Sequence, residues 1–118
     1  QRLAYRNFLE AHRANKAHMD TLRELSVSCL YVKKPKDAVY YAKVAIEFDE
    51  TKDISLLANL GLCQLFNGEL DNAEANSRKV LEVSTSEEMI LGANNVINRI
   101  AAIRSGTKTI PVDIMECC

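Results

Sequence analysis

Residues 21–31, TLRELSVSCLY, and residues 56–66, LLANLGLCQLF, carry one pattern 35 positions apart. Leu22, Leu25, Leu30 and Tyr31 reappear as Leu57, Leu60, Leu65 and Phe66. The leucine spacings put these side chains on one broad face of a helix with 3.6 residues per turn. After a short turn each segment is followed by a second helical stretch with small residues along its inner edge: Ala38, Ala42 and Ala45 in one, Ala73, Ser77 and Val80 in the next. Ala4, Phe8 and Ala11 have the same spacing near the start, so Ala4, Ala38 and Ala73 stand 34 and 35 residues apart. Such a period marks a repeat architecture.

Outward from this pair, apolar residues recur every three or four positions along most of the chain, and six helices are predicted, near 1–14, 18–32, 36–48, 54–67, 70–83 and 86–105. Their boundaries have local causes. Lys33-Lys34-Pro35 ends one helix and opens the next, Asp53 is placed to cap the helix after it, and Asn67-Gly68 and Gly106 are C-terminal stops. Ser84 with Glu87 and Thr85 with Glu88 each offer a capping box for the last helix. Small residues let the second helix of each pair lie close to the first, and a bulky residue one turn on fills the space between pairs. A hairpin of about 34 residues cannot bury its own apolar face, so neighbours must stack. The expected fold is therefore all-α: a right-handed α-solenoid of antiparallel helix pairs, about six helices, with an extended C-terminal tail.

Composition agrees. A chain of 118 residues suits one domain, and 47% hydrophobic residues with only four Gly and two Pro exclude disorder and argue against a sandwich. The net charge of −1 gives no bulk basic excess that would recommend nucleic acid or an acidic membrane. It hides an asymmetry: residues 1–36 carry +5, residues 37–90 carry −7 and residues 91–118 carry +1. In a stacked rod this split leaves a basic first end and an acidic middle. No run approaches the ~18 apolar residues that span a bilayer, and no signal-peptide pattern is present. Cys29 and Cys63 sit in apolar helical stretches without metal-ligand spacing, so the four cysteines are read as reduced core residues of an intracellular, cytoplasmic protein. The start at Gln1 rather than Met leads us to expect a fragment or processed product.

The residues that carry this pattern resemble the tetratricopeptide repeat (TPR) family. Leu60-Gly61, Gly68 at the inter-helix turn, Leu70 and Ala73 follow its motif, and Ala4, Phe8 and Ala11 match its second helix. The likeness covers roughly residues 1–105. It departs at Ser26, where the family has a small Gly, at Lys33, which replaces the turn Gly, and at Glu50 and Thr85, where a closing Pro is common. The implied organisation is a TPR-like domain over 1–106: the second helix of a partial repeat at 1–17, repeats at 18–52 and 53–85, and a capping helix at 86–106. A tail follows at 107–118. In the capping helix Ile90, Leu91, Val96, Ile97, Ile100 and Ile103 form a broad apolar surface. Part of it is expected to close the stack and any remainder to lie open to a partner.

Catalytic chemistry has no residue-level support. His12 and His18 flank a helix break rather than forming a metal pair, and no nucleophile-elbow, phosphate-loop, dinucleotide or zinc-protease motif occurs. Glu47, Asp49, Glu50 and Asp53 gather at an outer turn and read as a solvated acidic face. The expectation is no enzyme, no cofactor and no metal.

The resemblance instead implies a concave groove lined by the first helix of each hairpin. Its residues would be Asp20, Arg23, Val27 and Leu30, then Ser55, Ala58, Asn59, Leu62 and Leu65, then Met89, Ala93, Val96 and Arg99. For Leu62 and Leu65 packing between helices is an equal reading. The mixture suits an amphipathic helix or an extended apolar peptide of another protein. One TPR subclass grips chaperone C-terminal carboxylates with Lys, Asn, Asn, Lys and Arg. The matching positions here are Arg23, Val27, Asn59, Met89 and Ala93, so no such clamp is expected.

In the tail, Ile110, Val112 and Ile114 alternate with Pro111 and Asp113, an extended segment with one apolar edge. It is read either as a frayed terminus or as a segment lying in the molecule's own groove or a neighbour's. Cys117-Cys118 resembles a double-cysteine prenylation end, without a small-GTPase fold to support it. The expected role is a protein-interaction scaffold or adaptor. The rivals are a structural role with homo-oligomers formed through end helices or tail, and an interaction domain cut from a larger protein.

Overall fold

The computed structural model describes residues 19–49 and 53–114. The described residues are all-helical, with no strand among them. Five helices follow one another: α1 (Met19–Tyr31), α2 (Pro35–Phe48), α3 (Ile54–Phe66), α4 (Leu70–Val83) and α5 (Glu87–Arg104). Each lies within one residue of its expected bounds at both ends. The expected helix at 1–14, with His12, His18, Ala4, Phe8 and Ala11, lies outside the described residues, as do Glu50, Cys117 and Cys118.

The turns explain the period. At the end of α1 the backbone N–H groups of Lys33 and Lys34 donate to the carbonyls of Leu30 and Cys29, at 3.1 and 2.7 Å. Thirty-five positions on, Gly68 and Glu69 donate to Leu65 and Gln64 in the same way, at 3.2 and 2.9 Å. Both turns need a left-handed residue after the helix, and they use Lys33 (φ 61°) and Gly68 (φ 79°). Pro35 then begins α2, where its missing N–H costs nothing. Asp53 caps α3 as expected, its side chain accepting from the Ser55 N–H at 2.9 Å. The cap of α5 differs from expectation. Ser86 takes it, accepting from the Met89 N–H, while the Ser84 hydroxyl accepts from the Ser86 N–H instead. With α5 starting at Glu87, one residue later than expected, neither proposed capping box has the right register.

Packing is sequential and alternating at once. Each helix packs on the next, and in addition α1 packs on α3 and α3 on α5. The odd-numbered helices therefore form one row, backed by α2 and α4. Ala38, Ala42, Ala45 and Ala73 are buried where the backing helices meet this row. Gly61 has the closest approach: a Cβ there would stand 3.1 Å from the Ser77 hydroxyl and 3.5 Å from the Ala73 carbonyl. Leu30, expected in a groove, and Leu65, for which packing between helices was an equal reading, are buried, 1% and 0% exposed, because they point between helices. Of the apolar surface of α5, Val96 and Ile100 are buried and Ile90, Ile97 and Ile103 half-buried. Leu91 alone of the six is exposed. No described helix is long and apolar enough to cross a membrane.

Candidate functional site

The row of α1, α3 and α5 presents a cleft of about 370 Å³ between α3 and α5, within the range that holds small ligands or a few side chains. Ala58, Asn59 and Leu62 of α3 form one wall and Met89, Gly92, Ala93 and Val96 of α5 the other. The spacing explains this. Residues 58 and 59 each stand three or four positions from 62, and 92 and 93 stand three or four positions from both 89 and 96, so each set shares a face. Small residues at 58, 92 and 93 keep the cleft open, and Asn59 and Glu88 are its polar groups.

Of the expected groove residues, Asn59, Leu62, Met89 and Val96 meet in this cleft, together with Ala58 and Ala93. Arg23 and Ser55 meet elsewhere, between α1 and α3, where the guanidinium Nη1 donates to Ser55 Oγ at 3.1 Å. Val27 is half-buried on α1. Asp20 stands in the first turn of α1, and its side chain lies outside the description. Arg99 is not among the residues that line this cleft. Its Nε and Nη2 donate to the backbone carbonyl of Thr109 in the tail, at 3.1 and 2.8 Å.

Two lining residues, Gly92 and Glu88, were not among the expected groove residues, and Ile114 enters the cleft along the tail's apolar edge. Gly92 was legible, since it falls one turn from Met89 and Val96. For Ile114 the sequence left two readings open, a frayed end or a segment in the molecule's own groove or a neighbour's, and the structure has it at the edge of the molecule's own cleft.

A short polar chain ties α1 to α3. Asn59 Nδ2 donates to Ser26 Oγ at 2.7 Å, and Ser26 Oγ donates to the Arg23 carbonyl at 2.8 Å. Ser26, which stands where the TPR pattern has Gly, is fully buried and uses its hydroxyl to join the two helices. Beneath this chain lie Cys29 and Cys63, both buried and unbridged. Burial pushes both thiols up to about 12 from an ordinary 9.0; nearby Asp37 adds to the rise at Cys29, while a hydrogen bond with Ser26 opposes it at Cys63. They are protonated packing groups rather than nucleophiles at neutral pH. Of the four outer-turn carboxylates, Asp49 accepts from the Asp53 N–H at 2.7 Å and Asp53 caps α3, so both shape the turn.

Compared with protein-family models, curated proteins and solved structures, the chain has no match in any of the three.

Proposed function

We propose that the chain is a non-catalytic interaction module, a right-handed TPR-like solenoid that holds an extended apolar segment or a helix of another protein against the α1, α3, α5 row. The observation that carries this reading is the cleft between α3 and α5, apolar along both walls with Asn59 and Glu88 as its polar groups. Two further features support the repeat reading: the hydrogen-bond pattern of the inter-helix turns recurs after 35 residues, and alternate helices pack side by side.

Gly92 supplies the test. Gly92 lines the cleft and a Cβ there meets nothing within 4 Å, so Gly92→Phe adds a bulky side chain at its wall from an uncrowded position. Peptides selected from a displayed library against the intact chain are then titrated, by fluorescence anisotropy, against the intact protein and this variant. A loss of at least tenfold in affinity, with a melting temperature no lower than that of the intact protein, is expected. Equal binding to both proteins, or no peptide selected at all, overturns the reading.

A structural role is the alternative, favoured by the exposed Tyr40 and Phe48 on α2. Mass in solution separates the two. A monomer supports the groove reading, and an oligomer broken up by Tyr40→Ser with Phe48→Ser supports assembly.

A further inference from the structure

After α5 the chain does not leave the molecule. Gly106 (φ 83°) repeats the left-handed stop used after α1 and α3, with its N–H on the Ile103 carbonyl and that of Thr107 on the Ala102 carbonyl, at 3.1 and 2.9 Å. In the two preceding hairpins a backing helix starts at this point. Here the chain has Thr109-Ile110-Pro111, and Pro111 rules out regular continuation. The segment turns back over the molecule instead.

Four contacts seat it. Arg99 forks onto the Thr109 carbonyl with two nitrogens. Ile110 covers the α3–α4 turn, its Cδ1 3.3 Å from where a Cβ of Gly68 would lie. Pro111 is fully buried, beside a pocket that the tail shares with Leu30, Pro35 and Phe66. Ile114 packs on the core cluster of α1, α2 and α3 and forms one edge of the cleft.

These contacts divide as peptide recognition usually does. The guanidinium reads a main-chain carbonyl, which any sequence supplies, while apolar sites read the side chains at 110, 111 and 114. The seat is small and open enough to release its occupant: Ile110 and Val112 remain 39% and 58% exposed. A tethered segment experiences a local concentration of the order of millimolar, so a weak intrinsic ligand suffices to hold its own site.

We propose that residues 109–114 are an intramolecular ligand, and that the partner displacing them is an extended segment of the same chemistry, an aliphatic–proline pair with a second aliphatic residue three positions on. This rests on the groove reading above and adds to it the class of ligand and an autoinhibitory control. The apparent affinity for such a partner is the intrinsic affinity reduced by the fraction of molecules with the tail unseated.

The probe is a fluorescein-labelled peptide with the sequence of residues 107–114, titrated against three full-length proteins: the intact chain, a Pro111→Asp/Ile114→Asp variant that unseats the tail, and the same variant with Arg99→Ala. Affinity at least tenfold higher for the unseated chain than for the intact one is expected, and Arg99→Ala removes most of that gain. Equal affinity for intact and unseated chains, or no binding to an unseated chain that still melts cooperatively, overturns the proposal. A measurement on the unmodified protein guards against misfolding of the variants. Saturating unlabelled peptide must raise hydrogen exchange in the fragment covering the tail, and unchanged exchange also overturns it. If library-selected peptides bind intact and unseated chains alike and are blocked by Gly92→Phe, autoinhibition falls and the groove stands. If they are not blocked either, both fall.

Discussion

Gly61 and Gly92 are both helical glycines, one in α3 and one in α5, and replacing each by alanine separates close packing from helix propensity. Alanine in a helix interior is favoured over glycine by about 0.8–1.0 kcal/mol. At Gly92 nothing lies within 4 Å of the new methyl, so Gly92→Ala keeps the whole gain and raises stability by about 1 kcal/mol, or about 4 °C in melting temperature. At Gly61 the methyl lands 3.1 Å from Ser77 Oγ, a few tenths of an ångström inside ordinary contact. Ser77 is 1% exposed on the packed face of α4, so its hydroxyl has no open space to yield into. Overpacking of this kind costs about 1–3 kcal/mol, which cancels or outweighs the propensity gain. Gly61→Ala is expected about 1–3 kcal/mol below Gly92→Ala in urea denaturation followed by far-UV circular dichroism. Ser77→Ala should recover part of the deficit, because it removes the nearer atom and leaves the Ala73 carbonyl at an ordinary 3.5 Å. Equal stabilisation by the two glycine replacements would refute the close approach of α3 and α4.

Four other outcomes are expected. Lys33→Gly, which relieves a left-handed lysine where the second hairpin has Gly68, stabilises the chain by about 0.5–1 kcal/mol, and a thermal melt showing a loss contradicts this. Asn59→Ala strips the Nδ2 donor from buried Ser26 and costs about 1 kcal/mol in chemical denaturation. Cys29 and Cys63 ionise near 9.0 when unfolded and about 12 when folded, so their contribution is complete below pH 9 and is lost as pH rises towards 12. Alkylation at these two sites, followed by peptide mass mapping, tracks unfolding; rapid labelling of the native protein would show that they are accessible. An acidic peptide ending in a free carboxylate shows no saturable binding in a fluorescence titration, since Arg23 and Asn59 donate to Ser55 and Ser26 within the fold; tight binding lost in Arg23→Ala refutes this.

The helices from residue 19 onward were legible because their causes are local. A 3.6-residue period, a proline at a helix start, an aspartate cap and glycines at helix ends all act within a few residues of the chain. Local reasoning failed at Ser84 and Thr85, where the competing cap at Ser86 sits in the better register for the first turn. Lys33 shows the reverse case, since its place in the repeat named the turn although its residue type did not.

Half of the candidate site followed from the same periodicity. Asn59, Leu62, Met89 and Val96 share faces that helical spacing dictates, and the cleft brings them together. Leu30 and Leu65 lie on those helices too, yet whether a leucine points into a groove or between helices depends on the rotation of each helix against its neighbours. Arg99 depends on more still. Its spacing put it on the groove face, and its partner is a carbonyl ten residues later in a segment without helical order.

By itself, then, the sequence determined the helices, their order and the 35-residue period, since these follow from hydrogen bonds and turn geometry between residues close along the chain. Only the tertiary structure decided which leucines close the core, that Ser26 joins two helices, and that the tail returns to bury Pro111 and edge the cleft with Ile114. Those outcomes depend on burial and contact between residues far apart in the chain, to which a one-dimensional pattern of spacings is blind.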